Sequence, residues 1–229
     1  MMTALRPGWF WYSRRGTMTS QNRDACGVFS AQDYTLAVVM DATRHGSRAM
    51  EFNHAWLAGI GDSLSGAAPT AEEIVSAMKR AHRQLDIRRF LHERACYAAL
   101  SMNHATRRID MLTWGDCRIG RRCLANEIEW LTRPHTLAHS GLFDGSENVV
   151  IARHVATRFL RAKRRFEAPN AISISDSTDA EWILATDGHW TADGTCAAGS
   201  EDDCSYLSLT TGSDVRVDTD CENYICRDY

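Results

Sequence analysis

The sequence predicts a single α+β domain, on three observations. Residues 34 to 40 form a continuous apolar run of strand length, two helical segments follow between residues 47 and 90, and a train of strand-like segments with short polar turns fills 95 to 132. At 229 residues the chain is long enough for one core of ordinary depth and too short for two comfortable domains. A hydrophobic fraction of 44% with 24% charged residues suits a globular protein in water. The formal net charge of -3 gives no reason to expect nucleic acid or an anionic membrane surface, so any phosphate site must be a local feature. No apolar run approaches the roughly 20 residues that span a bilayer, and the opening MMTALRPGWFWYSRR does not read as a signal peptide. A cytoplasmic protein that stays off membranes is the expectation.

Each element has its own warrant. Residues 9 to 13 and 26 to 40 are rich in aromatic and β-branched types, and the run Tyr34-Thr35-Leu36-Ala37-Val38-Val39-Met40 is that of a strand buried on both faces, ending at Asp41. From 47 to 60, Met50, Ala55, Trp56 and Ile60 roughly follow helical spacing, closed by Gly59 and Gly61. Thr70 caps a second helix, Glu72 and Glu73 suit its positive end, and Ile74, Met78, Ala81, Leu85 and Phe90 continue its buried face. Segments 95 to 103, 108 to 114, 117 to 124 and 127 to 132 read as a meander. A basic helix is expected over 149 to 165, with Val150, His154, Val155, Phe159 and Ala162 on one side and the arginines on a solvated face. Strands return at 181 to 186 and 204 to 209, and 210 to 229 is a polar tail that packs as an extra strand or stays loose.

The eight cysteines, at 26, 96, 117, 123, 196, 204, 221 and 226, do not form a zinc pattern, and reduced thiols are expected, a local bridge between Cys221 and Cys226 being the alternative in an oxidising compartment.

Four aspartates stand at the edges of expected strands: Asp24, Asp41, Asp187 and Asp202. Carboxylates gathered from several strand ends form an oxygen-rich pocket of the type that holds magnesium or manganese. Two such cations can activate a water and neutralise a phosphate ester in line with it. Spacing alone does not single these residues out, because aspartate is common at turns and caps.

The surrounding motifs do. Asn22-Arg23-Asp24-Ala25 resembles the NxDA element of the PP2C (PPM) family of metal-dependent serine/threonine phosphatases, and Val38-Val39-Met40-Asp41-Ala42 resembles its VxDG strand end. Trp114-Gly115-Asp116-Cys117-Arg118 is similar to the GDSR turn, and Leu131-Thr132-Arg133-Pro134-His135-Thr136 to the LTxDHS element. Leu184-Ala185-Thr186-Asp187-Gly188-His189-Trp190 resembles LxSDGxW, and Asp202-Asp203-Cys204-Ser205 the closing DDxS. Each element is unspecific by itself; six in the family's order, covering 13 to 209, are not.

The resemblance implies a four-layer α-β-β-α sandwich with two central antiparallel sheets and metals at one end, residues 1 to 209 being the phosphatase domain. It implies that Asp24, Asp41, Asp187 and Asp202 serve two core cations, Mn2+ or Mg2+, with Ala42 offering a backbone carbonyl where relatives have glycine. Asp116 matches the acid that helps hold a third, weaker metal in some relatives, but Thr191 stands where its partner acid would be and Asp193 comes two later. The arginine that relatives place five residues before the first metal aspartate is Thr19 here, leaving Arg14, Arg15, Arg23 or Arg44 to grip the substrate phosphate. His45, beside the second aspartate, is the candidate general acid; His135 and His189 are assigned to packing or to orienting their neighbours. Glu222-Asn223 competes with Asp202 as the last ligand; the better-patterned strand after Asp202 favours the latter. The implied activity is hydrolysis of phosphoserine or phosphothreonine on a protein by metal-activated water, with a phosphorylated protein, a Ser/Thr kinase or its substrate as partner. The alternative is an impaired module of the same fold that binds a phosphoprotein or kinase without turnover.

Overall fold

The computed structural model describes residues 6–44, 46–122, 127–140, 152–175, 180–190 and 200–229. Two six-stranded sheets lie face to face. The first contains β2 (Asp24–Ser30), β3 (Tyr34–Ala42), β4 (Ala95–Asn103), β5 (Arg108–Trp114), β8 (Asn170–Ser175) and β12 (Tyr224–Asp228), in the order β12-β2-β3-β4-β5-β8. The second contains β1 (Gly8–Arg14), β6 (Arg118–Arg122), β7 (Ile128–Trp130), β9 (Glu181–Ala185), β10 (Cys204–Thr210) and β11 (Val215–Thr219), in the order β11-β1-β10-β9-β6-β7. Helices α1 (Ala49–Gly61) and α2 (Ala71–Gln84) cover the outer face of the first sheet, and a short helix α3 (Asp187–Trp190) follows β9.

Why β3 reads as uninterrupted apolar sequence is visible in its packing. Tyr34, Leu36, Val38 and Met40 point into the core under α1 and α2, with Phe52, Trp56, Ile60, Ile74 and Met78. Ala37 and Val39, on the opposite face, enter the core between the sheets with Trp9, Trp11, Trp182, Leu184, Leu207 and Leu209. The two-residue period of a strand divides its side chains between two dry layers, and the one polar member of the run, Thr35, is buried with its hydroxyl bonded to Ser30 and His104. Thr70 caps α2 with a complete capping box, its side chain accepting from the Glu73 backbone N–H while the Glu73 carboxylate accepts from Thr70 N–H.

Three elements differ from the sequence expectation. The meander is broken: β4 and β5 belong to the first sheet, whereas β6 and β7 cross to the second. The basic helix fails after its first turn. Residues 149 to 151 lie outside the described residues, Ala152 and Arg153 are helical, and then Ala156 bridges Thr136 and Leu160 bridges Ala95 in extended pairings. The backbone groups of Leu160 exchange two hydrogen bonds with Ala95, at 3.1 and 2.8 Å, which removes them from any helical ladder. Burial of Leu160 and Ala162 follows the period of a strand, and two of the arginines that suggested a solvated helix face lie over rings, Arg158 over Trp114 and Arg161 over Phe159. The third difference concerns thiols: Cys204 is disulfide-bonded, while Cys26, Cys96, Cys117, Cys221 and Cys226 are free.

Residues 210 to 229 contribute two strands, one to each sheet. β11 runs parallel to β1 and β12 parallel to β2, so each otherwise antiparallel sheet has one parallel edge. Asn223 joins them. Fully buried, it accepts from Trp11 Nε1 (3.0 Å) and Thr219 Oγ1 (2.8 Å) and donates to Ser13 Oγ (2.7 Å) and the Asp24 carbonyl (3.0 Å).

Candidate metal centre

The register of the first sheet places Asp24 and Asp41 directly opposite one another, at the start of β2 and near the end of β3. Like charges so paired are unfavourable in an ordinary sheet. The turn from β5 to β6 brings Asp116 to the same end. Gly115 makes that turn possible: its φ is +93°, and a Cβ there would lie 2.3 Å from Cys96 Sγ. Asp187 arrives from the second sheet, at the first position of α3. The loop carrying Asp202 and Asp203 passes so close that a Cβ on Gly188 would meet the Asp203 carbonyl at 2.1 Å, which accounts for glycine after the aspartate.

Asp41, Asp116 and Asp187 each offer a carboxylate oxygen within 4.8 Å of the others. Asp24 adjoins them, with Oδ2 accepting from Thr186 Oγ1 at 3.0 Å. Burial, then the charges of Asp203 and Asp187, holds the Asp24 carboxyl well above the usual range. Burial followed by the charges of Asp24 and Asp187 does the same to Asp41. Asp116 is pushed up to about 7, by burial first and then by Asp187. One oxygen of Asp116 is buried with no hydrogen-bond partner among the described residues. Like charges therefore crowd this end of the sandwich, and hard divalent cations with oxygen ligands are the group that such a set of donors fits.

Asp202 is half-buried and pairs with Arg44 at 3.0 Å, and its charge reaches Asp41 and Asp116. Glu222 is exposed in the tail and Asn223 is spent on the bonds described above, so the geometry favours Asp202 over Glu222. Ala42 keeps a strand conformation with φ outside the left-handed region, so its Cβ is accommodated without strain.

Of the four arginines, only Arg44 brings its guanidinium to an acid of this end, Asp202. Arg14 reaches across to Asp218 on β11. Arg15 donates its backbone N–H to Asp220 and a guanidinium N–H to the Ser20 carbonyl, and the guanidinium of buried Arg23 contacts the Gln21 carbonyl and Ser20. These three belong to the structure of the loop at 15 to 23 and its neighbours. Thr19 has the same character: its hydroxyl donates to Asp203 at 2.6 Å. His45 and the segment 191–199, with Thr191 and Asp193, lie outside the described residues.

Two residues were missed in the sequence. Asp203, the second of the doublet, is buried and accepts from Gly16 N–H (2.9 Å), Thr19 Oγ1 (2.6 Å) and Arg23 N–H (2.9 Å), so it fastens the loop that leads into Asp24. The doublet itself was the only signal. His154 stands with Nδ1 3.7 Å from Asp187 Oδ2, and its pKa is raised mainly by that carboxylate; the expected helix had placed it on an apolar face.

No family model and no curated protein matches the chain by sequence. Solved structures match by shape. A serine/threonine phosphatase from S. agalactiae superposes with a TM-score of 0.69 at 15% identity, over 90% of this chain and 100% of that one. The catalytic domain of the serine threonine protein phosphatase PstP, in complex with two manganese ions, gives 0.65 at 16%, over 90% and 98%. Stp1 from Staphylococcus aureus gives 0.68 at 13%, over 93% and 98%. With two face-to-face sheets, acids converging at one end and these neighbours, the chain has the fold of the PP2C-type serine/threonine phosphatases, in a divergent form.

Proposed function

We propose that the protein is a metal-dependent phosphatase acting on phosphoserine or phosphothreonine in a protein, with two divalent cations, Mn2+ or Mg2+. The observation that carries this reading is the buried acid cluster with an unpartnered Asp116 oxygen. Asp24, Asp41, Asp187 and Asp202 would hold the two core cations with the Ala42 carbonyl, and Asp116 would serve a third, weaker site. When bound, the cations supply an activated water and neutralise the charge of the phosphoryl group.

The chain's own residues position this chemistry. Thr186 orients Asp24, and the hydrogen bonds of Asp203 fix the loop at 15 to 23 next to it. Arg44, on the exposed side of Asp202, is the guanidinium of this end that faces an incoming phosphate. It would exchange a carboxylate partner for a phosphate oxygen, which its planar fork suits. His45 is retained as the proposed general acid on its sequence position. Substrates would be phosphorylated proteins, a Ser/Thr kinase or its target among them.

One observation favours the impaired module as a second reading. Thr19 stands where relatives carry the phosphate-gripping arginine, and its hydroxyl is committed to Asp203. Phosphate release from a phosphothreonine peptide, measured with manganese, magnesium or chelator, separates the two. Release that requires metal and is lost in Asp187→Asn supports the enzyme; binding of the phosphopeptide without release under any metal supports the module.

A further inference from the structure

A cavity of about 290 Å³ adjoins the turn at Gly115 through His135, and its charged lining residues are basic. Arg133, His135, His139 and Arg158 line it with Asn170 and hydroxyl groups, and no carboxylate is among its lining residues. It is a built feature. The Gly115 backbone N–H donates to His135 Nδ1 at 3.1 Å and His135 N–H returns a bond to the Gly115 carbonyl at 2.8 Å. The Thr157 N–H and hydroxyl both donate to the His135 carbonyl, at 2.8 and 3.0 Å. Arg158 lies 4.8 Å over the Trp114 ring, which holds its guanidinium at the wall.

The charges there are uncompensated. Arg133 and Arg158 form no ion pair among the described residues, whereas Arg14, Arg44, Arg48, Arg89, Arg108, Arg121, Arg122 and Arg227 all do. Burial and the nearby guanidinium groups lower the pKa of both imidazoles, Arg158 acting on His135 and Arg133, Arg118 and Arg153 on His139. A concave surface with two unpaired guanidinium groups and a positive field is suited to a doubly charged oxyanion.

We infer that this cavity is a subsite for a second phosphate group on the substrate protein. Its wall is bonded to Gly115, the residue before Asp116, so an extended substrate running from the acid cluster across this turn would bring a residue about two to four positions from the phosphoresidue to it, at about 3.3 Å per residue. The inference rests on the phosphatase reading for its substrate and adds a preference: multiply phosphorylated segments over singly phosphorylated ones.

The test is a titration of the full chain in chelator, following the imidazole proton signals of His135 and His139. The probes are inorganic phosphate, a phosphothreonine peptide, and the same peptide with a second phosphoserine two to four residues away. The doubly phosphorylated peptide should bind about tenfold more tightly than the single one and shift both imidazoles. Arg133→Gln and Arg158→Gln should each reduce that advantage several-fold while leaving the affinity of the singly phosphorylated peptide within about twofold. Because Arg158 covers Trp114, Arg133→Gln, which removes no packing contact with a ring, decides the matter if Arg158→Gln unfolds. Equal affinities for the two peptides, or shifts produced by inorganic phosphate alone with no peptide preference, overturn the inference. Release is read separately with Mn2+ or Mg2+ restored: a peptide preference in a chain that still releases no phosphate from the phosphothreonine peptide overturns the phosphatase reading and leaves the subsite standing.

Discussion

Asp203 and Asp116 are both buried aspartates at the same end of the sandwich, and their surroundings are opposite. Asp203 accepts three hydrogen bonds from the loop at 15 to 23, whereas Asp116 has an oxygen with no partner and faces the carboxylates of Asp41 and Asp187. A buried carboxylate with a full set of donors is part of the scaffold; one surrounded by other carboxylates is unfavourable until a cation joins it. The comparison separates the acids that build the site from those that use it, which residue type and sequence position alone do not.

The largest expected effect is on the user side. Asp41→Asn should lower metal-dependent phosphate release by about a thousandfold or more, measured with a phosphothreonine peptide at saturating Mn2+. On the builder side, Asp203→Ala strands two backbone N–H groups and the Thr19 hydroxyl, and should reduce unfolding free energy by about 3 to 5 kcal/mol in urea titrations.

Protonation gives the next test. The folded Asp116 carboxyl sits at about 7, above the roughly 3.9 of an unfolded chain, so the folded state holds a proton that the unfolded state has released. Its contribution is present at low pH and is lost as pH rises toward 7. Chelated protein should therefore lose up to about 4 kcal/mol from this group between pH 4 and pH 7, and added Mn2+ should flatten that slope. A slope of the opposite sign would place the cluster's acids in a satisfied environment.

The two aspartates should also respond with opposite signs to the same change. Asp116→Asn is expected to stabilise the metal-free protein by about 1 to 3 kcal/mol at pH 8, and Asp203→Asn to destabilise it. Smallest of all is Arg44→Ala, which removes an exposed ion pair with Asp202 and should shift stability by about 0.5 kcal/mol or less.

How much of this was legible in the sequence depends on where the information sits. β3 was readable because its neighbours in sequence are all apolar, and α2 because Thr70 and Glu73 form a local cap. Asp24, Asp41, Asp116 and Asp187, which the fold gathers at one end, were readable as motif members, since each motif is a short contiguous string. Asp203 was not, because its partners Gly16, Thr19 and Arg23 are about 180 residues away, so its role exists only after folding. The basic segment at 152 to 165 misled for the same reason: its helical spacing is real, but pairing of Leu160 with Ala95 and stacking of Arg158 on Trp114 are long-range terms that override local preference. The tail looked polar because β11 and β12 are edge strands, with an exposed face that demands no alternation.

The central claim is that the carboxylates around Asp116 form a cation site, and Mn2+ binding to chelator-stripped protein tests it without depending on turnover. Calorimetric titration at pH 7.5, alongside thermal unfolding, should show Mn2+ uptake that raises the melting temperature in the wild-type chain and is abolished or strongly weakened in Asp41→Asn and Asp187→Asn. Absence of uptake at millimolar Mn2+, with an unchanged melting temperature, would contradict the account and leave the acid cluster without an explanation.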